Sequence, residues 1–347
     1  MGRNGDMGWI GLDAPVEIIA AAGYRPVRLD PDPLEPISLA SAYSEGGGHP
    51  WIRAAVERVL RDGGGLEGLV IGSTPALGVW LYNFLLTLGS LDDAPALPPV
   101  HLCNISHLGQ PLARDFNAAS LRTLADSLGA SPAALGAAIE KRNRVRALQR
   151  RIESRRRGPG PRLLGSHARR LLDAADTLAP GDYVRLVEAE LAEPGAEAAE
   201  GLTPIVLSAP GSPNLELYRK LEDRGLVVVA DDMDFGSRAI GPDVAPGDPF
   251  EALAERYGHR APAPSGWTTA ARIDWLLALA REQGAMGILF DLPNWAHSAA
   301  WDFPKLERAL SAAGLRTFLA PAGASLDEAA EAAAQSFRFP DGGRRHG

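Results

Sequence analysis

Short apolar or β-branched runs alternate with helix-like stretches along most of the chain, and this alternation constrains the fold more than any other feature. Runs at residues 26–29, 68–72 and 99–103 are interleaved with helical patterns at 15–22, 50–61 and 76–88. Runs at 204–208, 226–230, 287–291 and 316–320 are interleaved with helical patterns at 215–224, 273–283 and 303–313. Strands that alternate with helices are joined by crossovers, which makes them parallel and stacks them in α/β layers. Runs this short and this apolar read as buried strands.

A helical stretch separates the two α/β blocks. Ser131-Pro132 is a start signal, with Ser as N-cap and Pro in the first turn. The helix it opens runs towards Arg155. There the cluster Arg150, Arg151, Arg155, Arg156, Arg157 meets Gly158-Pro159-Gly160-Pro161, a stop signal. The arginines read either as a solvated helix end that suits the dipole or as an anion patch. Helices at 163–178 and 182–191 continue the segment, and 193–200 reads as a linker. The expected organisation is an N-terminal α/β lobe at 7–110, a helical segment at 111–200, a C-terminal α/β lobe at 201–325, and a helical or frayed tail at 326–347.

Composition bears on partners. A formal net charge of −8 argues against a nucleic-acid surface. No segment reaches the roughly 20 uninterrupted apolar residues of a membrane helix; the longest, 77–88, is broken by Gly78 and Asn83. The N-terminus lacks an apolar core with a cleavage site. One cysteine, Cys103, excludes an internal disulfide. A cytoplasmic location is expected, with no nucleic-acid or membrane partner. Lysine occurs only at positions 141, 220 and 305 in an arginine-rich chain, which suggests a GC-rich bacterial genome.

Open parallel sheets bind ligands beyond the carboxyl ends of their strands. That rule selects Ser73 and Thr74 after 68–72, and Asn104, Ser106 and His107 after 99–103. It also selects the loop that begins Ala209-Pro210-Gly211 after 204–208, and Asn294, Trp295 and His297 after 287–291. After 226–230 comes Asp231-Asp232-Met233-Asp234-Phe235-Gly236-Ser237-Arg238. Adjacent carboxylates repel unless compensated, and Arg238 is the nearest cation able to form a bidentate pair. The segment reads either as an internal Asp–Arg brace or as a substrate-facing site. No His or Glu at ligand spacing accompanies these aspartates, so no metal site is expected. His107 and His297 read as loop or cap residues, or as general acids or bases. Cys103 reads as a packed small hydrophobe or as a nucleophile. No G-x-S-x-G elbow, P-loop or G-x-G-x-x-G follows a strand.

Several stretches together carry a family likeness. They are Gly8-Trp9-Ile10-Gly11-Leu12-Asp13-Ala14-Pro15-Val16-Glu17 with Ala22-Gly23 and Pro26-Val27; Asn143-Arg144-Val145-Arg146; Asp231-Asp232 with Gly236-Ser237-Arg238; Ala254-Glu255-Arg256-Tyr257 with Pro262 and Pro264; and Trp301-Asp302-Phe303-Pro304. Over about residues 7–320 the chain resembles subunits of the 2-hydroxyacyl-CoA dehydratase and benzoyl-CoA reductase family. The resemblance implies two Rossmann-like parallel-sheet lobes joined by a helical segment. It also implies pairing of two related subunits and an ATP-driven activator as transient partner. Family members use a low-potential 4Fe-4S cluster to form a ketyl radical from a CoA thioester, then eliminate water from a 2-hydroxyacyl group or reduce an arene.

The departures are systematic. Positions that the resemblance gives to cluster cysteines fall on Gly11, on Thr74 (followed by Pro75) and near Ala296, and an additional one falls on Ala263. Such a cluster needs about three or four thiolates. The leading expectation is a cluster-free subunit, a lyase or reductase component inactive alone and binding no cofactor itself. A cysteine-bearing relative would carry the 4Fe-4S cluster in a heterodimer, and this chain would help shape the acyl-substrate pocket. The expected substrate-binding residues are Gly11, Asp13, Ser73, Thr74, Asn104, His107, Ser237, Arg238 and Asn294, with Asp232 and His297 as acid–base candidates. A repurposed cluster-independent enzyme is the second reading. A non-catalytic metabolite or CoA binder, as a homodimer, is the third.

Overall fold

The short apolar runs do become strands, and they form two separate four-stranded parallel sheets in the computed structural model. Residues 5–44, 48–74, 76–108, 110–157, 163–192, 199–211, 214–259 and 268–338 are described. The expected stop at 158–161, most of the linker at 193–200, Pro75, Pro262, Ala263, Pro264 and the end of the tail lie outside them.

The first sheet contains β1 (Asp6–Ile10), β2 (Arg25–Arg28), β3 (Gly68–Gly72) and β4 (Val100–Cys103) in the order β2-β1-β3-β4. The sequence suggested three strands here, and β1 is the fourth. Its sequence DMGWI has one β-branched residue and an internal glycine, so strand propensity hides it. Pairing on both sides with β2 and β3 supplies what local preference lacks. β2 sits at the edge and is only half-buried, not buried as expected. From β1 the chain passes through α1 (Val16–Ala21) to β2. It then returns through α2 (Pro50–Asp62) to β3 on the other side of β1, followed by α3 (Leu77–Leu88) and β4. The switch point therefore lies between β1 and β3, where the rule for open sheets places ligands. Ile10, Leu69 and Ile71 pack with Val56 and Val59 of α2 and with Leu81 and Leu85 of α3.

The second sheet repeats the plan with β5 (Thr203–Ser208), β6 (Leu226–Asp231), β7 (Gly287–Phe290) and β8 (Arg316–Leu319), in the order β6-β5-β7-β8. Its switch point lies between β5 and β7. Alternation along β5 feeds two cores. Ile205 and Leu207 pack with Tyr218 of α8 (Leu215–Glu222) and Phe337 of α13 (Leu326–Arg338). Val206 packs with Leu276 of α11 (Thr269–Glu282) and Leu306 of α12 (His297–Ala312). Both faces of the sheet are covered, which is why its strands read as continuous apolar runs. Each large apolar side chain so buried is worth roughly 1.5–3 kcal/mol over exposure.

The remaining helices are α4 (Pro111–Leu128), α5 (Pro132–Arg155), α6 (Gly165–Asp173), α7 (Pro180–Ala192), the short α9 (Ser237–Ile240) and α10 (Pro249–Gly258). Two compact units result. One comprises Met1–Arg146, Asp176–Pro180 and Pro242–Arg260; the other comprises Ala147–Ala175, Gly181–Gly241 and Ala261–Gly347. The arginine cluster is only partly a solvated helix end. Arg156 is fully buried, Arg150 donates to the Gly241 carbonyl at 3.1 Å, and Arg155 donates to the Leu191 carbonyl at 2.8 Å. These three secure backbone and other side chains, while Arg151 and Arg157 stay exposed. Among the described residues no helix is long and apolar enough to cross a membrane.

Candidate functional site

In the first unit, the ends of β1, β3 and β4 bring three of the expected residues together. Asp13 follows β1, Thr74 follows β3 and His107 follows β4. The Thr74 hydroxyl lies 2.9 Å from His107 Nε2, and Asp13 Oδ2 lies 3.2 Å from the same nitrogen. His107 Nδ1 faces the Gly258 carbonyl oxygen at 3.3 Å. A carbonyl oxygen only accepts, so Nδ1 carries a hydrogen, and Nε2 faces Thr74 and Asp13. Hydroxyl and carboxylate meet one nitrogen, so this is not a hydroxyl–imidazole–carboxylate relay, which needs them on opposite nitrogens. Asp13 is fully buried, and its Oδ1 has no hydrogen-bond partner. Ser73 braces the floor: its Oγ accepts from Ile105 N at 3.0 Å.

Gly11 enters this site with φ +87°, a conformation that strains any L side chain. A Cβ there would also lie 3.1 Å from the Gly72 carbonyl oxygen and 3.2 Å from that of Thr74. Gly11 has no ligating atom, and Thr74 offers a hydroxyl in place of a thiolate. Ala296 offers only a methyl, and Cys103 is fully buried at the end of β4. Among the described residues no three His, Cys, Asp or Glu side chains gather as a metal site. This donor set does not fit a thiolate-held iron–sulfur cluster, and no chemical step is assigned to one.

A second network in the same unit joins three of the stretches that carry the family likeness. Buried Glu17, from α1, accepts from Arg146 of α5 and from the Tyr257 hydroxyl of α10 at 2.7 Å. Asn143 fixes Arg146 by accepting from its Nη1 at 2.8 Å, and it exchanges two 3.0 Å bonds with the backbone of Val244. Burial alone would raise the Glu17 carboxyl; Arg146, Tyr257 and Arg142 outweigh it and hold it at about 2. Pro-x-Glu, Asn-x-x-Arg and Arg-Tyr are thus one structural joint in this fold.

In the second unit, the adjacent aspartates at the end of β6 have separate partners. Asp231 accepts from the Tyr218 hydroxyl at 2.9 Å, from Arg156 at 3.4 Å and from Ser237 N at 3.1 Å. The Ser237 hydroxyl is saturated: it accepts from Asp231 N and Arg156 and donates to Glu153. Asp232 accepts from the Ser208 hydroxyl at 2.8 Å and from Ala209 N at 3.1 Å, with Arg272 at 3.5 Å. Burial is the main influence on Asp232 and, with Asp231 adding to it, raises its carboxyl to about 6 against the pull of Arg272 and Ser208. Burial also raises Asp291, just beyond β7. Arg238 does brace this segment from within, bonding Asp234 at 3.2 Å and adding its charge to those that lower the Asp232 carboxyl, while the direct cationic partners of Asp231 and Asp232 are Arg156 and Arg272.

Asn104 and Asn294 are exposed and, among the described residues, have no side-chain bond to these networks. His297 opens α12, and its side chain is not among those described. Sequence reasoning missed Arg272, Arg156, Tyr218, Glu153 and Ser208 as partners of the aspartate pair. The one available signal was an Asp-Asp pair with too few nearby cations, which demands arginines from remote helices without naming them.

No curated protein matches the chain. A family model described as 2-hydroxyglutaryl-CoA dehydratase, D-component, matches residues 12–326. That span takes in both sheets from just beyond β1, both aspartate-centred networks and the Asp13 site, so the chain belongs to the 2-hydroxyglutaryl-CoA dehydratase D-component family.

Proposed function

We propose that this chain is a cluster-free subunit of a 2-hydroxyacyl-CoA dehydratase-like complex. In this reading it pairs with a cysteine-bearing relative that carries the 4Fe-4S cluster, and it helps to shape the acyl-substrate pocket. The carrying observation is a contrast within one unit. The framework around Glu17, Arg146 and Tyr257 is fully bonded and buried, whereas the positions assigned to cluster cysteines hold Gly11 and Thr74. A fold kept rigid after losing its own ligands suits a component whose work is done in company. Exposed apolar side chains add support: Trp80 on α3 is 72% exposed, and Leu112 and Phe116 on α4 are 77% and 46% exposed. Leu112 and Phe116 stand four residues apart on α4, a spacing that places them on one face of the helix. In this reading an ATP-dependent activator would deliver electrons to the partner's cluster, because the positions given to cluster cysteines hold Gly11 and Thr74 in this chain.

Anaerobic co-expression of the tagged chain with a cysteine-bearing relative tests the proposal. A stable one-to-one complex is expected, with iron lost when the relative's cysteines are replaced. A chain that is stable alone and ignores such relatives defeats it. A second reading, a repurposed cluster-independent enzyme, draws on Asp232, whose carboxyl is raised to about 6 beside the β5–β7 switch point. It requires a turnover whose pH profile changes on Asp232→Asn.

A further inference from the structure

We propose that Asp13, His107 and Thr74 form a binding site for a single divalent transition-metal ion. The site differs in kind from a thiolate-held cluster, and it does not depend on the pairing proposed above.

Three observations carry it. The first is charge. Asp13 is fully buried, no Arg or Lys pairs with it among the described residues, and Oδ1 has no hydrogen-bond partner. A buried carboxylate whose one charged neighbour is a histidine, cationic only when protonated, is costly, and a cation would compensate it. The second is the set of donor atoms. Nδ1 of His107 is committed to the Gly258 carbonyl at 3.3 Å, which leaves the Nε2 lone pair facing Asp13 Oδ2 at 3.2 Å and Thr74 Oγ1 at 2.9 Å. With Nε2 unprotonated, the Nε2–Oδ2 contact sets two acceptors against each other unless a cation lies between them, and a metal ion and a proton compete for that place. Ligand atoms about 2.0–2.2 Å from a shared ion stand roughly 3.0–3.4 Å apart, and the two contacts fall at or just below that range. The third is the outer partner: a metal-bound imidazole usually donates its other N–H to a carbonyl or carboxylate, as His107 does to Gly258. The His107 side chain is 21% exposed, so an ion has a route in.

Imidazole with oxygen ligands suits Zn²⁺, Mn²⁺ or Fe²⁺ better than Ca²⁺. Only two strong protein ligands are present, with a hydroxyl as third, so water or a bound ligand fills the remaining positions. Sequence spacing could not show this, because the three residues come from the ends of three different strands.

The test titrates the chelator-treated full chain with Zn²⁺ by calorimetry and with Mn²⁺ by electron paramagnetic resonance. One equivalent is expected. Binding should weaken by about tenfold or more in both Asp13→Asn and His107→Gln, and Cys103→Ser should leave it unchanged. Far-UV circular dichroism checks that each variant folds. Should one not fold, electron spin-echo spectroscopy of the Mn²⁺-loaded wild-type chain decides by the presence of an imidazole nitrogen coupling. Absence of binding, equal binding by both folded variants, dependence on Cys103, or no nitrogen coupling overturns the proposal.

Discussion

Gly236 has no side chain, and none would fit: a Cβ there would lie 1.3 Å from Asp231 Oδ1. Gly236→Ala must push that carboxylate away from Ser237, Tyr218 and Arg156. Parting a buried charge from its partners costs about 3–5 kcal/mol. We expect a loss of that order in urea denaturation, far above an ordinary surface Gly→Ala. Tyr257→Phe is milder. It removes the 2.7 Å bond to Glu17 but leaves Arg146 in place, for a loss of about 1–3 kcal/mol. Legibility differed sharply at this scale. The strand-end rule picked out Thr74 and His107, and the family likeness added Asp13, because their place in the chain follows from topology or motif order. Arg272 and Arg156 were not legible as partners of Asp232 and Asp231, because side-chain reach across helices leaves no trace in local spacing.

Elements were easier to read than contacts. Helix α5 begins at Pro132 and ends at Arg155, as the Ser-Pro start and the arginine-rich end had indicated. Strand β3 (Gly68–Gly72) coincides with its apolar run. β1 escaped notice because pairing, rather than propensity, makes it a strand. α4 was the largest element left undefined, and it carries the exposed pair Leu112 and Phe116. Leu112→Glu with Phe116→Glu is expected to leave the thermal midpoint of the isolated chain within about 2–4 °C of wild type, since exposed substitutions usually cost under 0.5 kcal/mol. The same pair should abolish co-purification with a cysteine-bearing relative. Unimpaired co-purification would move the interface away from α4.

For the whole molecule, two buried carboxylates give opposite pH dependences. Glu17 is held at about 2, below its ordinary 4.5. Its stabilisation, on the order of 3 kcal/mol, is complete above pH 4.5 and disappears as pH falls towards 2. Asp232 is raised from 3.8 to about 6, so between those values the folded chain holds the proton more tightly than the unfolded one. Stability therefore falls as pH rises through that window. Thermal midpoints across pH 2–8 should show the acid limb removed by Glu17→Gln and the decline above pH 4 flattened by Asp232→Asn. Neither change in slope would be expected if these groups titrated normally. The compact units are also discontinuous in sequence. A fragment of residues 1–110 keeps Glu17 but loses Arg146 and Tyr257, and should show no cooperative unfolding transition.

The left-handed turn at Gly11 limits what a side-chain replacement can install there. The backbone around it has settled against the carbonyls of residues 72 and 74, closer than a cysteine's β-carbon comfortably allows. Placing cysteines at positions 11 and 74 would ask the loop to reopen, because a Cβ at position 11 would lie 3.1 Å from the Gly72 carbonyl oxygen. Substitution alone would not suffice there: the turn itself would have to be rebuilt before thiolates at these positions could share an ion.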